Sequence, residues 1–277
     1  MGIFNNLFDI DSRDSYAVTG LNKELNSLYI YNYFIKNKKN NLVITNSLYE
    51  ANDVYNRLLN YTNKVLFFPM DDFITSEVTD ISPEFVIDRL TTLNKLLGSG
   101  KYIVVTNLMG ILRYLPNTKL YKNKIIDINK DMDIDRDDFI NKLFDLGYEK
   151  KPVVSRTGEM AIRGYVIDIF PIEFDNPIRI EFWGDTIDSI KYFDLEDQIS
   201  NTSIDSVKIY PYTEFLIDGK IEDNIIRKQK YLLNYSDSVS GLWDYVSDSV
   251  IFYYDYNQII NSYSLLRENI LEYDSEL

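Results

Sequence analysis

The sequence predicts an α/β domain built in two segments around a parallel sheet, interrupted by a smaller, mainly antiparallel α+β domain. Three observations lead there. Short, continuously apolar runs alternate with helical patterns up to about residue 117. Between 118 and 202 the apolar residues alternate singly, with glycines at the breaks. Beyond 203 the strand–helix alternation returns. Continuous runs suit strands buried on both faces, whereas single alternation suits strands with one wet face.

The elements follow in order. "LNKELNSLYIYNYFIKN" places Leu25, Leu28, Tyr29, Tyr31 and Phe34 at roughly helical spacing. "NLVITN" is a buried strand, and Ser47 with Glu50 forms a capping box opening a helix through Leu59. "KVLFFP" is the next strand. "SPEFVIDRLTTLNKLLGSG" has Ser82 as N-cap, Pro83 at the first helical position and Gly98 as the stop. "KYIVVTN" is a third strand. Strands separated by helices imply right-handed crossovers and a parallel sheet. "RDDFINKLFDLG" reads as a helix ending at Gly147. "YEKKPVVS", "AIRGYVIDIFP", "NPIRIEFW" and "TIDSIKYFDL" then read as antiparallel strands, with Gly158, Gly164 and Gly184 near the breaks. "SVKIYP", a helical stretch after Asp218, "SVIFYYD" and "NQIINSYSLLRENILEY" resume the first pattern. The domains are expected at 1–117, 118–202 and 203–277, the outer two folding together.

Composition narrows the function. With 45% hydrophobic and 26% charged residues, the chain is an ordinary globular one. It has no cysteine and no histidine, which removes disulfides, thiolate metal sites and the commonest general base. A net charge of −14 argues against a chain-wide basic face for nucleic acid and reads as a solubility feature. No apolar run is long enough to span a bilayer, and "MGIFNNLFDIDSRDSY" lacks the pattern of a signal peptide. A cytoplasmic location and no membrane partner are expected. The chain ends on a helix with no closing signal, as a fragment would.

Two stretches invite a ligand. "AVTGLNKE", residues 17 to 24, aligns with the phosphate-loop template G-x-x-x-x-G-K-[ST], with Lys23 on the lysine. Ala17 and Asn22 stand at the two glycines and Glu24 at the hydroxyl residue. Side chains then fill the space where backbone N–H groups would wrap a phosphate. Glu24 puts a carboxylate at a helix N-terminus, where the phosphate's charge would sit. The loop reads as a degenerate nucleotide site with no cofactor. "DMDIDRDD", residues 131 to 138, begins like a calcium loop, but Arg136 and Lys142 occupy the glycine and glutamate positions. It reads as an acidic lead-in to a helix, and no metal is expected.

Residues 156 to 200, "RTGEMAIRGYVIDIFPIEFDNPIRIEFWGDTIDSIKYFDLEDQIS", resemble the UvrB-homology module shared by the repair helicase UvrB and the transcription-repair coupling factors. The likeness runs through Gly158-Glu159, Arg163-Gly164, Asp168-Ile169-Phe170-Pro171, Arg179-Ile180-Glu181-Phe182, Gly184-Asp185, Ser189-Ile190, Phe193-Asp194 and Gln198. It extends over most of the chain and weakens after about residue 220. The altered phosphate loop, the short "MDDFITSEVTDISPE" in place of a tyrosine-rich hairpin, and "FYYDYNQ" in place of an acidic pair resemble the N-terminal region of the coupling factors more than UvrB. The resemblance implies a RecA/P-loop-like fold for the first domain. It also implies a non-catalytic adaptor that recruits UvrA to stalled transcription complexes for nucleotide excision repair. RNA polymerase and double-stranded DNA are partners of the downstream domains of full-length family members, which are ATP-dependent DNA translocases. The alternative is a fragment of a UvrB-type ATP-dependent helicase that binds damaged DNA. The family's UvrA-contacting residues fall on Arg163, Arg179 and Trp183, with Glu181 added by likeness to UvrB. If Ile178, Ile180 and Phe182 face one side of a strand, Arg179, Glu181 and Trp183 share the other. Read from the residues alone, the same positions also suit a cross-strand salt bridge and a packed tryptophan.

Ala17, Asn22 and Glu24 lead to a first expectation: the chain neither binds nor hydrolyses ATP. Micromolar ATP affinity by calorimetry, abolished by Lys23→Ala, would overturn it.

Overall fold

A strand that is apolar on both sides has to be covered on both, and the first segment meets that need with helices between its strands. In the computed structural model, which describes residues 15–72, 82–219, 232–236 and 238–275, this segment runs α1 (Lys23–Asn37), β1 (Asn40–Thr45), α2 (Leu48–Leu59), β2 (Val65–Phe68), α3 (Pro83–Leu96), β3 (Ile103–Asn107) and a short α4 (Leu108–Ile111). Most of the short segment between Met70 and Glu84, and the helical stretch expected after Asp218, lie outside the described residues. β1 pairs in parallel with β3, and β3 with β2. Val43, Val65, Phe67, Ile103 and Val105 pack with Ile30, Phe34, Val54 and Leu58 of α1 and α2.

The helix ends differ in detail from the sequence reading. Ser47 Oγ accepts from the Glu50 N–H at 3.3 Å, but the Glu50 carboxylate reaches the N–H of Asn46, one residue before the usual partner. Asp72 adds a second cap, accepting from the Leu48 N–H at 2.8 Å. Ser82 stands at the N-cap of α3 without capping it: its hydroxyl donates to Glu84 instead. α3 closes at Leu97 in a right-handed conformation, and Gly98 is not needed at positive φ.

The second run of elements is β4 (Leu115–Pro116), α5 (Thr118–Lys124), β5 (Ile126–Asn129), α6 (Arg136–Asp145), β6 (Glu149–Lys150), β7 (Glu159–Arg163), β8 (Val166–Ile169), β9 (Ile178–Trp183), β10 (Thr186–Phe193), β11 (Ser200–Ser203), β12 (Ser206–Ile209), α7 (Leu232–Tyr235) and β13 (Val239–Ser240). Six strands form one sheet in the order β11-β10-β9-β8-β7-β6, antiparallel except for β6 with β7. Met160, Ile167, Ile169, Ile178, Ile180, Phe182, Ile187 and Ile190 line the face that packs with Phe139, Leu143 and Leu146. Full burial of each such side chain stabilises by about 1.5–3 kcal/mol.

The chain closes with α8 (Leu242–Tyr245), β14 (Ser249–Tyr253) and α9 (Tyr256–Ser275). β14 pairs in parallel with β1, which completes the four-stranded order β14-β1-β3-β2. By contact density, residues 1–113 and 241–277 form one unit and residues 114–240 the other. The return crossing thus falls after residue 240, against the 202/203 read from sequence. The physical reason lies in β12, which pairs antiparallel with β5, and in β13, which pairs with β4. Among the described residues no helix is long and apolar enough to cross a membrane.

Gly147 terminates α6 at φ +89°, and a Cβ there would lie 2.8 Å from Thr213 Cβ. Gly147→Ala should therefore cost about 2 kcal/mol of stability, measured by denaturant unfolding.

Candidate protein-docking face

Alternation along β9 separates two kinds of side chain. Ile178, Ile180 and Phe182 are buried, while Arg179 and Glu181 are half-buried and Trp183 is 84% exposed. The register carries that outer face across the sheet. Arg179 stands opposite Asp168 on β8 and Lys191 on β10. Glu181 stands opposite Val166 and Ser189, and Val166 stands opposite Arg163 on β7. All four residues nominated from the sequence therefore share one face.

They do not share one environment. Asp168 is 1% exposed. Arg179 grips it with two prongs, Nε to Oδ1 at 2.7 Å and Nη2 to Oδ2 at 3.0 Å. Its Nη1 donates to the Gln198 carbonyl at 3.2 Å and to Ser200 Oγ at 3.3 Å. The guanidinium lies 4.8 Å from the centre of the Phe193 ring. The hydrogen bond to Asp168 raises the Arg179 pKa above its ordinary value. This is the cross-strand salt bridge that the residues alone also suited. Glu181 is also engaged, accepting from Lys191 Nζ at 2.6 Å and from the Ser189 hydroxyl. The Lys191 bond, then the Ser189 bond, holds its carboxyl below the usual range.

Arg163 and Trp183 are different. The Arg163 side chain is 47% exposed, with Nη2 at 3.8 Å from Asp168 Oδ2 and at 3.4 Å from the Pro152 carbonyl it donates to. Trp183 ends β9 just before Gly184, which takes φ +62°, and its exposed ring is not the packed tryptophan that the residues alone also suited. Sequence reasoning missed two participants. Asp168 is the carboxylate on which both arginines converge; its position between Ile167 and Ile169 carried the period-2 signal. Tyr165, 65% exposed in the β7–β8 turn, lies beside the same end of β9, its carbonyl accepting from the Phe182 N–H at 2.9 Å. An exposed arginine and exposed aromatics on a rigid sheet suit a protein interface.

The other nominated stretches do something else. Among the described residues, 15–22 contain no strand and lead directly into α1. Asn22 caps α1, its Oδ1 accepting from the Leu25 N–H at 2.9 Å. Lys23 Nζ bonds Asp53 of α2 at 3.2 Å, and Glu24 lies 3.7 Å from Arg57. Ala17 is exposed. In "DMDIDRDD", Asp135 caps α6 by accepting from the Asp138 N–H at 2.7 Å, and Asp133 accepts from the Thr186 hydroxyl. Among the described residues no group of three or more acidic side chains is placed to hold a metal ion.

Comparison with known proteins bears on this face directly. Residues 126–215 match the family described as the UvrB interaction domain. The match starts at β5 and covers every strand of the six-stranded sheet. Beyond it, the chain is 35% identical over 220 residues to the transcription-repair-coupling factor of Staphylococcus haemolyticus, covering 79% of this chain and 19% of the relative. It is 32% identical over 235 residues to that of Staphylococcus epidermidis, covering 84% and 20%. It is 32% identical over 220 residues to that of Staphylococcus aureus, covering 79% and 19%. The chain is a homologue of part of the transcription-repair-coupling factors. It spans about a fifth of the length of these relatives. The outer face described above therefore lies wholly inside the segment that matches the UvrB interaction domain.

The two classes of outer-face residue should separate in a thermal melt. Asp168→Asn strands a largely buried guanidinium and should cost about 3 kcal/mol. Trp183→Ala, on a ring that is mostly in water, should stay within about 0.5 kcal/mol of the parent.

Proposed function

We propose that this chain is a non-catalytic adaptor whose outer sheet face docks UvrA. In the setting of its longer relatives, such docking would bring UvrA to stalled transcription complexes for nucleotide excision repair. RNA polymerase and double-stranded DNA would be contacted by other regions of those relatives. The observation that carries the reading is the exposed pair Arg163 and Trp183, set on a rigid face within a segment that matches the UvrB interaction domain.

The loop at 17–24 supports an adaptor over an ATP-dependent helicase. The lysine that would reach phosphate is paired with Asp53, and the residue that would ligate Mg²⁺ is a carboxylate beside Arg57. On this reading the loop is the relic of a RecA-like nucleotide site, and the parallel-sheet unit is a scaffold.

Within the interface Arg163 offers charge-assisted hydrogen bonds to an acidic partner, and Trp183 an apolar anchor with little ordering cost. Glu181, tied to Lys191 and Ser189, contributes shape and local charge. Arg163→Glu adds like-charge repulsion at the same spot. It should weaken UvrA binding at least thirtyfold, or about 2 kcal/mol, in a titration. Its melt should move by no more than about 0.5 kcal/mol. Parent-like affinity with an unchanged melt would remove Arg163 from the interface.

A further inference from the structure

Asp168 has one negative charge and two cationic neighbours. Its Oδ2 is the shared atom, 3.0 Å from Arg179 Nη2 and 3.8 Å from Arg163 Nη2. Arg179 already supplies a two-pronged contact, and its side chain is only 17% exposed. Four hydrogen bonds and the Phe193 ring hold it in place. Such a guanidinium offers an incoming protein almost nothing. Arg163 is the surplus cation: with Asp168 neutralised by Arg179, it keeps only the long 3.8 Å ion pair to Oδ2 and a 3.4 Å hydrogen bond to the Pro152 carbonyl, and its side chain is half in solvent.

We infer that Arg179 is a positioning residue that acts through Asp168, and that by neutralising this buried carboxylate it leaves the Arg163 guanidinium free for a carboxylate on the partner. The inference rests on the docking reading above. A buried carboxylate left without its cation takes the nearest one remaining, because an unpaired buried charge is strongly unfavourable. Arg163 needs to move only about 1 Å to make a charge-assisted hydrogen bond of ordinary length to Oδ2. It would then serve Asp168, and the partner would have to compete for it. Loss of Arg179 thus mimics loss of Arg163 with no contact between Arg179 and the partner.

The consequence is a rescue. Arg179→Gln alone should weaken UvrA binding roughly tenfold and lower the melt. Adding Asp168→Asn removes the charge that captured Arg163 and leaves a neutral amide pair in the sheet. The double variant should recover the melt and return affinity to within about threefold of the parent. Arginine side-chain ¹⁵N NMR supplies a readout that needs no partner. Rotation about the Arg163 guanidinium should be hindered in Arg179→Gln and free again in the double variant.

If the double variant recovers the melt yet binds as weakly as Arg179→Gln, Arg179 touches the partner itself and the inference falls. Parent-like binding by Arg179→Gln also defeats it. A parent chain that fails to bind UvrA removes the docking reading instead. The NMR arm still decides this point, because unchanged Arg163 rotation in Arg179→Gln overturns the inference by itself.

Discussion

One face of the six-stranded sheet is covered, by α6 together with β5 and β12, and this constraint shapes what the other face carries. Side chains from α6 and its C-terminal turn pack with the isoleucines of β8, β9 and β10. On the opposite face, among the described residues, a small apolar cluster forms from Val154, Ala161, Phe170 and Phe193 with Leu195 packed against it. Beside Val166 and Trp183, the other strand positions of that face include Arg163, Asp168, Arg179, Glu181 and Lys191, and each half-buried charge there needs a partner. The Asp168–Arg179 and Glu181–Lys191 pairs meet that need across neighbouring strands. Local alternation of side chains thus generates both the core and the polar surface from the same eighteen or so strand positions of β8, β9 and β10.

Much of this was legible because the signals are local. Three runs of consecutive apolar residues became β1, β2 and β3, and single alternation in "NPIRIEFW" became β9 with the expected faces. The glycines read as breaks fall at turns, Gly158, Gly164 and Gly184 all at positive φ. What was not legible depends on pairing between distant residues. Nothing near "SVKIYP" says that it will pair with β5, so the return to the first unit was placed too early. Likewise a cross-strand salt bridge suited Arg179, but nothing near it names Asp168, eleven residues away, as the partner. Local capping rules failed where a competing acceptor sat close by, as Glu84 does beside Ser82.

The shared motif now divides by physical role. A Cβ on Gly158 would lie 2.1 Å from the Tyr212 ring, so any side chain there displaces an aromatic. Glu159 is buried and accepts from the N–H groups of Ser155 and Arg156, from the Ser155 hydroxyl and from Arg156 Nε. Desolvation pushes its pKa up, but these hydrogen bonds outweigh it and the net shift is downward. Asp168 and Arg179 hold the sheet together from its outer side. Only Arg163 and Trp183, of the residues singled out for docking, have exposed functional groups. A motif read as one recognition signature is therefore mostly a folding signature that presents two side chains.

Trp183 has an optical consequence as well. The chain contains two tryptophans, and the other, Trp243, is 52% exposed and belongs to the other unit. An indole in water emits at the red end of its fluorescence range and shifts to the blue when it is dehydrated. With Trp243 replaced by phenylalanine, the tryptophan emission of the chain would report on the proposed docking face alone. The fold thus carries a native fluorophore at the tip of a hairpin, where it can register the approach of a partner without any attached dye.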